Sequence, residues 1–138
     1  MAELERAALI LHAGDVVSAS VLRELERFAP VQAVHGNMDE PALRVELPER
    51  RVVEVEGARI GLVHIAGARA GREDRLVSWF PRCQAVVYGH THIPQVGKHR
   101  GVWILNPGSP TERRRAPRHS MLVLEARRGA LDIEQVFV

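Results

Sequence analysis

Four times in this chain a short apolar run breaks at a turn and is followed at once by a side chain able to bind a metal ion. Ile10-Leu11 precedes Gly14-Asp15, Val34 precedes Gly36-Asn37, Leu62-Val63 precedes His64, and Val86-Val87 precedes Gly89-His90-Thr91-His92. Apolar runs of this length, bounded by turn residues, read as buried strands. In open α/β sheets the loops at the carboxyl ends of strands line the binding crevice, so side chains far apart in sequence can converge there. The recurrence therefore constrains the chain to an α/β fold with one shared site at the strand ends.

The segments between these runs agree with that constraint. Val21, Leu22, Leu25 and Phe28 recur at helical spacing, Ser18 or Ser20 can cap the start, and Pro30 marks the end. Residues 31–34 then read as a second strand, and strand-helix-strand order predicts a parallel sheet covered by helices. Val53 and Val55 alternate with Glu54 and Glu56, and Glu56-Gly57 leads into the apolar residues 58–63, which predicts a hairpin. Leu76, Val77 and Phe80 form a second helical stripe that ends before Pro81, and residues 85–88 form a continuous apolar run ending at Gly89. From Val102 onward short strands are expected at 102–105, 121–124 and 131–138, separated by Pro107-Gly108 and Gly129, with an antiparallel arrangement. No repeat, low-complexity segment or Gly/Ser-rich linker divides the chain. Its 138 residues, 46% of them hydrophobic, suit one core, so residues 1–138 read as a single domain.

Charge and cysteine usage narrow the partners. The 19 Lys and Arg residues nearly balance 17 Asp and Glu, and a formal charge of +2 by itself does not argue for nucleic acid. Arg113, Arg114, Arg115 and Arg118 form the densest basic run. They read as a solvated loop, since no aromatics are interleaved to stack on bases, although one Arg beside a metal site could clamp a substrate phosphate. Cys83 is the only cysteine, which excludes an intramolecular disulfide and a thiolate cluster and makes it a small buried hydrophobe. Residues 1–6 are charged where a signal peptide would be apolar, and no apolar run approaches bilayer length. The expectation is a cytoplasmic protein with no membrane partner.

The candidate ligands are Asp15, Asn37, His64, His90 and His92. A carboxylate, an amide oxygen and three imidazoles make a mixed oxygen and nitrogen set that suits Mn, Fe, Zn, Co or Ni better than Ca. Taken alone, His64 would read as an ordinary histidine at a strand end. Within the set it reads as a ligand. His12 and His35 read as wall residues behind the ligands, and Asp39 as a cap of the turn after Asn37, or a group that binds an ion or orients His64. Asn106 to Pro110 reads as a tight turn from which Ser109 could donate a hydrogen bond to substrate.

Gly14-Asp15-Val16, Gly36-Asn37-Met38-Asp39, Gly61-Leu62-Val63-His64 and Gly89-His90-Thr91-His92, together with Asn106-Pro107-Gly108-Ser109-Pro110, resemble the calcineurin-like metallophosphoesterases, in particular the small YfcE-type phosphodiesterases. The resemblance covers nearly the whole chain. It implies a four-layer αββα sandwich of two mixed sheets flanked by helices, and a centre of two divalent metal ions. Asp15 would bridge both ions, Asn37, His64 and His90 would complete one site, and His92 would bind the other. The implied chemistry is hydrolysis of a phosphate ester, diester or monoester, by a metal-activated water, with Asp15, Asn37 and His64 in the catalytic centre and Asn37 able to touch a phosphate oxygen. The implied substrate is a small phosphate ester, with nucleic acid relevant only as a phosphodiester.

Two departures qualify what the resemblance implies. The family opens with a strand ending in Asp-x-His, and no such motif occurs among these 138 residues. The first strand is therefore expected to be missing, with one metal site nearly complete and the other half filled. A start assigned too late is the favoured reading, ahead of a natural deletion or a strand lent by another chain. An unpaired strand edge invites pairing, so a homo-oligomer is among the expected partners, and weak or absent catalysis is expected of this chain. The second departure is Met38, which stands where larger phosphatases of the superfamily carry a histidine; a thioether cannot act as a leaving-group acid, which favours diesters or good leaving groups. The alternative is a catalytically impaired metal-binding or protein-interaction scaffold of the same fold, as in a retromer subunit.

Overall fold

Side-chain alternation along the central strands shows how this sequence builds its layers. The computed structural model describes residues 9–12, 23, 26–27, 29–36, 47–91, 93–107 and 120–137. Its central sheet contains β3 (Arg50–Val55), β4 (Ala58–Val63), β5 (Ala85–Tyr88), β6 (Gln95–His99) and β7 (Val102–Asn106), in the order β3-β4-β5-β7-β6. Successive side chains of a strand point to opposite faces. Val63, Val86, Tyr88 and Ile104 accordingly pack on one face with Leu76 and Phe80. Ile60, Leu62, Ala85, Val87 and Leu105 pack on the other.

The first face is covered by α1 (Arg72–Trp79), which joins β4 to the parallel β5. Its first turn carries Glu73 and Asp74, where carboxylates suit the helix dipole, and the wholly buried Leu76 anchors it. Burying one leucine contributes about 1.5–3 kcal/mol. Cys83 lies in this cluster, and burial pushes its thiol above the ordinary range, in keeping with the inert small hydrophobe read from the sequence. From α1, Arg75 donates to the carbonyls of Ala66 at 2.8 Å, Ala68, and Ala70 at 3.5 Å, gripping the connection that leaves β4.

The second face is covered by strands. β1 (Ile10–His12) and β2 (Val31–Ala33) pair in parallel, and Arg23 and Glu26 between them are helical. β8 (Ser120–Arg127) and β9 (Ala130–Phe137) form an antiparallel ribbon. Leu9 just before β1, Leu11 within it, and Leu122, Leu124, Leu131 and Ile133 from the ribbon pack on that face. The result is the expected α/β sandwich with two strand layers in contact. The apolar residues expected to form the first helix's stripe, 21, 22, 25 and 28, lie outside the described residues, as does the Arg run at 113–118.

Two expectations differ from the structure. The second half is not wholly antiparallel: β7 pairs antiparallel with β6 but parallel with β5, because the chain leaving β5 passes beyond the position β7 will fill and returns to it. The strand β6 was not expected, since Gln95-Val96-Gly97-Lys98-His99 carries a single strong apolar residue on an edge. The expected hairpin at Glu56-Gly57 is present, with both residues left-handed at φ 49 and 80. Its turn sits against the Arg128-Gly129 turn of the ribbon, where Gly129 N donates to Glu56 O at 2.7 Å. No helix among the described residues is long and apolar enough to cross a membrane.

Candidate metal centre

Two of the five expected ligands meet. His64 follows β4 directly, is 3% exposed, and accepts a hydrogen bond from Gly89 N through its carbonyl at 3.1 Å. That bond continues the parallel register in which Val63 faces Tyr88, so the two loops leave the sheet side by side. The rings of His64 and His90 lie edge to face, with centroids 5.2 Å apart and planes at 81°.

Strand parity alone would separate them. His64 continues the series of Ile60 and Leu62, whereas residue 90 continues that of Val86 and Tyr88 on the opposite face. His90 leaves this pattern through a left-handed backbone, φ 69, which histidine tolerates better than most non-glycine residues. Thr91 N closes the turn onto Gly89 O at 2.9 Å. From the end of β7, the wholly buried Asn106 donates its amide to Thr91 Oγ1 at 3.0 Å and to Gly89 O at 3.4 Å.

The remaining candidates fall as follows. His12 ends β1, partly buried, in the layer that packs on the second face. His35 lies just after β2, with its backbone N donating to Pro48 O at 2.9 Å. Asp15, Asn37, Asp39, His92 and Ser109 lie outside the described residues. Among the described residues no group of three or more His, Cys, Asp or Glu gathers as a metal site. The two imidazoles that do meet fit a divalent transition metal in kind, being nitrogen donors at adjacent strand ends.

A cleft of about 220 Å³ opens beside His90, lined by Ile65, Ala66, Gly67, Arg72, Tyr88, Gly89 and Thr91 as well. Its polar edge is a network in which Arg72 Nη2 donates to Gly67 O at 3.1 Å, Arg72 Nη1 lies 3.5 Å from the Tyr88 hydroxyl, and that hydroxyl donates to Gln95. Arg72 and Tyr88 were not expected at the site, and Asn106 was read only as the first residue of a tight turn. A polar residue closing the apolar strand 102–105 was a usable signal for Asn106; nothing local marks Arg72.

Residues 1–129 match the family described as the calcineurin-like phosphoesterase superfamily domain. A probable metallophosphoesterase of Methanothermobacter thermautotrophicus is 40% identical over 91% of this chain and 73% of its own length. A second probable metallophosphoesterase, from Methanocaldococcus jannaschii, is 36% identical over 79% of this chain, which spans 56% of that relative. The solution NMR structure of a Thermotoga maritima protein superposes with a TM-score of 0.74 at 35% identity, covering 98% of this chain and 83% of that one. Zinc-complexed Vps29 of Entamoeba histolytica shares the fold with a TM-score of 0.76 at 24% identity, over 98% of this chain and 84% of that one.

Proposed function

The chain belongs to the calcineurin-like phosphoesterase superfamily, and from that premise we propose that it is a metal-dependent hydrolase of small phosphate esters, diesters foremost. The observation that carries this reading is the meeting of His64 and His90 at neighbouring strand ends, against the parity of their strands. Asp15, Asn37, His64, His90 and His92 would hold two divalent ions, with manganese the first to test. When bound, such ions supply the acidity that activates a water and offset charge on the phosphoryl oxygens.

The chain's own residues do the positioning. His64, buried just after β4, presents its ring edge to face with that of His90. Asn106 and Thr91 hold the turn that aims His90. Asn37 would meet a phosphate oxygen as charge develops there. We place this activity in one domain, residues 1–138, in the cytoplasm.

Metal analysis of the purified chain, paired with hydrolysis of bis-p-nitrophenyl phosphate under Mn, tests the reading. The expected result is metal uptake and slow release of p-nitrophenol, both lost in Asp15→Ala and His90→Ala. Activity that survives both substitutions overturns the proposal. A folded chain that binds metal and never turns over leaves the scaffold of the same fold in its place.

A further inference from the structure

The cleft beside His90 contains a cation that the metal chemistry does not use. Arg72 enters it from the first turn of α1. A guanidinium stays charged in proteins and offers five donors in a planar fork. Here Nη2 is taken by the Gly67 carbonyl and Nη1 makes only a 3.5 Å contact to the Tyr88 hydroxyl. Its Nε is buried without a hydrogen-bond partner among the described residues, and none of the ion pairs among those residues includes Arg72. Anchoring the loop through Gly67 explains Nη2, and the guanidinium carbon lies 5.3 Å from the Tyr88 ring centroid, a contact with the ring face that leaves the N–H of Nε without a hydrogen-bond acceptor among the described residues.

We propose that Arg72 forms an anion subsite for a second phosphate carried on the alcohol part of the ester. The proposal rests on the phosphoesterase reading, which puts the scissile phosphate at His64 and His90. Arg72 and His90 line the same cleft, so an ester whose scissile phosphate lies at the His90 end extends its second phosphate into the cleft toward Arg72. Ile65 and Ala66 supply an apolar wall for the carbon skeleton between them. At about 220 Å³ the cleft is smaller than the roughly 300–1,000 Å³ of whole ligand pockets, the size of a subsite. A guanidinium fork matches phosphate geometry and forms charge-assisted bonds stronger than neutral ones.

The test uses two esters differing by one remote phosphate: p-nitrophenyl thymidine 5′-phosphate and its 3′-phosphorylated counterpart. Wild type is expected to favour the second by about tenfold in kcat/KM, through KM, the size of one charge-assisted bond. In Arg72→Gln the ratio is expected to fall to near one, and Arg72→Lys to keep part of it. Calorimetric titration with thymidine 3′,5′-diphosphate and thymidine 5′-phosphate, with and without Mn, should show the same Arg72-dependent preference. Equal preference in wild type and Arg72→Gln, or none in wild type, overturns the subsite. Hydrolysis without the preference leaves the phosphoesterase reading standing and removes the subsite. Arg72-dependent binding without hydrolysis does the reverse.

Discussion

The Asn106 amide donates to the Thr91 hydroxyl at 3.0 Å, so the last residue of β7 holds the turn that carries His90. Thr91 Oγ1 also accepts from Ile93 N at 3.2 Å, using both acceptor positions of one hydroxyl. The end of β7 thereby sets the backbone of a candidate metal ligand in the turn that leaves the neighbouring β5.

Asn106→Ala removes that hold and leaves a polar turn short of a donor. It should cost about 1–3 kcal/mol in urea unfolding. Because groups that orient metal ligands matter nearly as much as the ligands, zinc or manganese affinity should fall roughly 10–100-fold by calorimetry. Stability loss with unchanged metal affinity would show that Asn106 serves the fold alone.

Gly61 lies where β4 passes under Phe80. A Cβ there would stand 2.5 Å from Phe80 Cγ, and that ring is buried and cannot step aside. Gly61→Ala should destabilise by about 1–3 kcal/mol, the usual cost of overpacking. The double substitution Gly61→Ala with Phe80→Leu should lose less than the two single costs added together. Additive losses would mean that the contact is not the cause.

Gly57 combines two demands, a φ of +80 and a Cβ position 3.2 Å from Gly129 N. Gly101 has nearly the same φ, +79, and open space around it. Both alanine variants bear the left-handed penalty of about 1–2 kcal/mol, and only Gly57→Ala also pushes the two hairpin turns apart. Thermal or urea melts should therefore rank Gly57→Ala below Gly101→Ala. Equal losses would remove the docking of the two turns as a source of stability.

On the outer surface, the hydrogen bond from His99 Nε2 at 2.7 Å holds the Asp74 carboxyl below the usual carboxylate range, and Arg100 at 3.3 Å adds to this. A carboxylate whose pKa is lowered in the folded state contributes stability above its unfolded value and loses it as pH falls through the folded one. The contribution is thus present at neutral pH and disappears in acid. Carboxyl NMR should place the Asp74 midpoint low in wild type and higher in His99→Ala. Coincident titrations would refute the coupling.

Much of the fold was legible locally. The runs at Ile10-Leu11, 58–63 and 85–88 became β1, β4 and β5, and the stripe of Leu76, Val77 and Phe80 became α1 and its C-cap, with their apolar side on the sheet. These succeed because burial of neighbouring side chains imposes a period that the sequence displays. β6 escaped because an edge strand with one exposed face needs little apolar pattern, although Arg100-Gly101 after it, left-handed at φ 52 and 79, was a hairpin signal. Arg72 escaped because its place depends on a loop, a helix start and a strand end meeting.

By itself the amino-acid sequence determined the buried strands, the turns between them and the chemical kinds of side chain at their ends, because each follows from residues within a few positions of one another. Only the tertiary structure decided that β7 would lie beside β5, that Asn106 would reach Thr91, and that a left-handed His90 would cross its strand's parity to meet His64. Those outcomes depend on which faces are buried against each other, a property of the packed whole that no short stretch of chain contains.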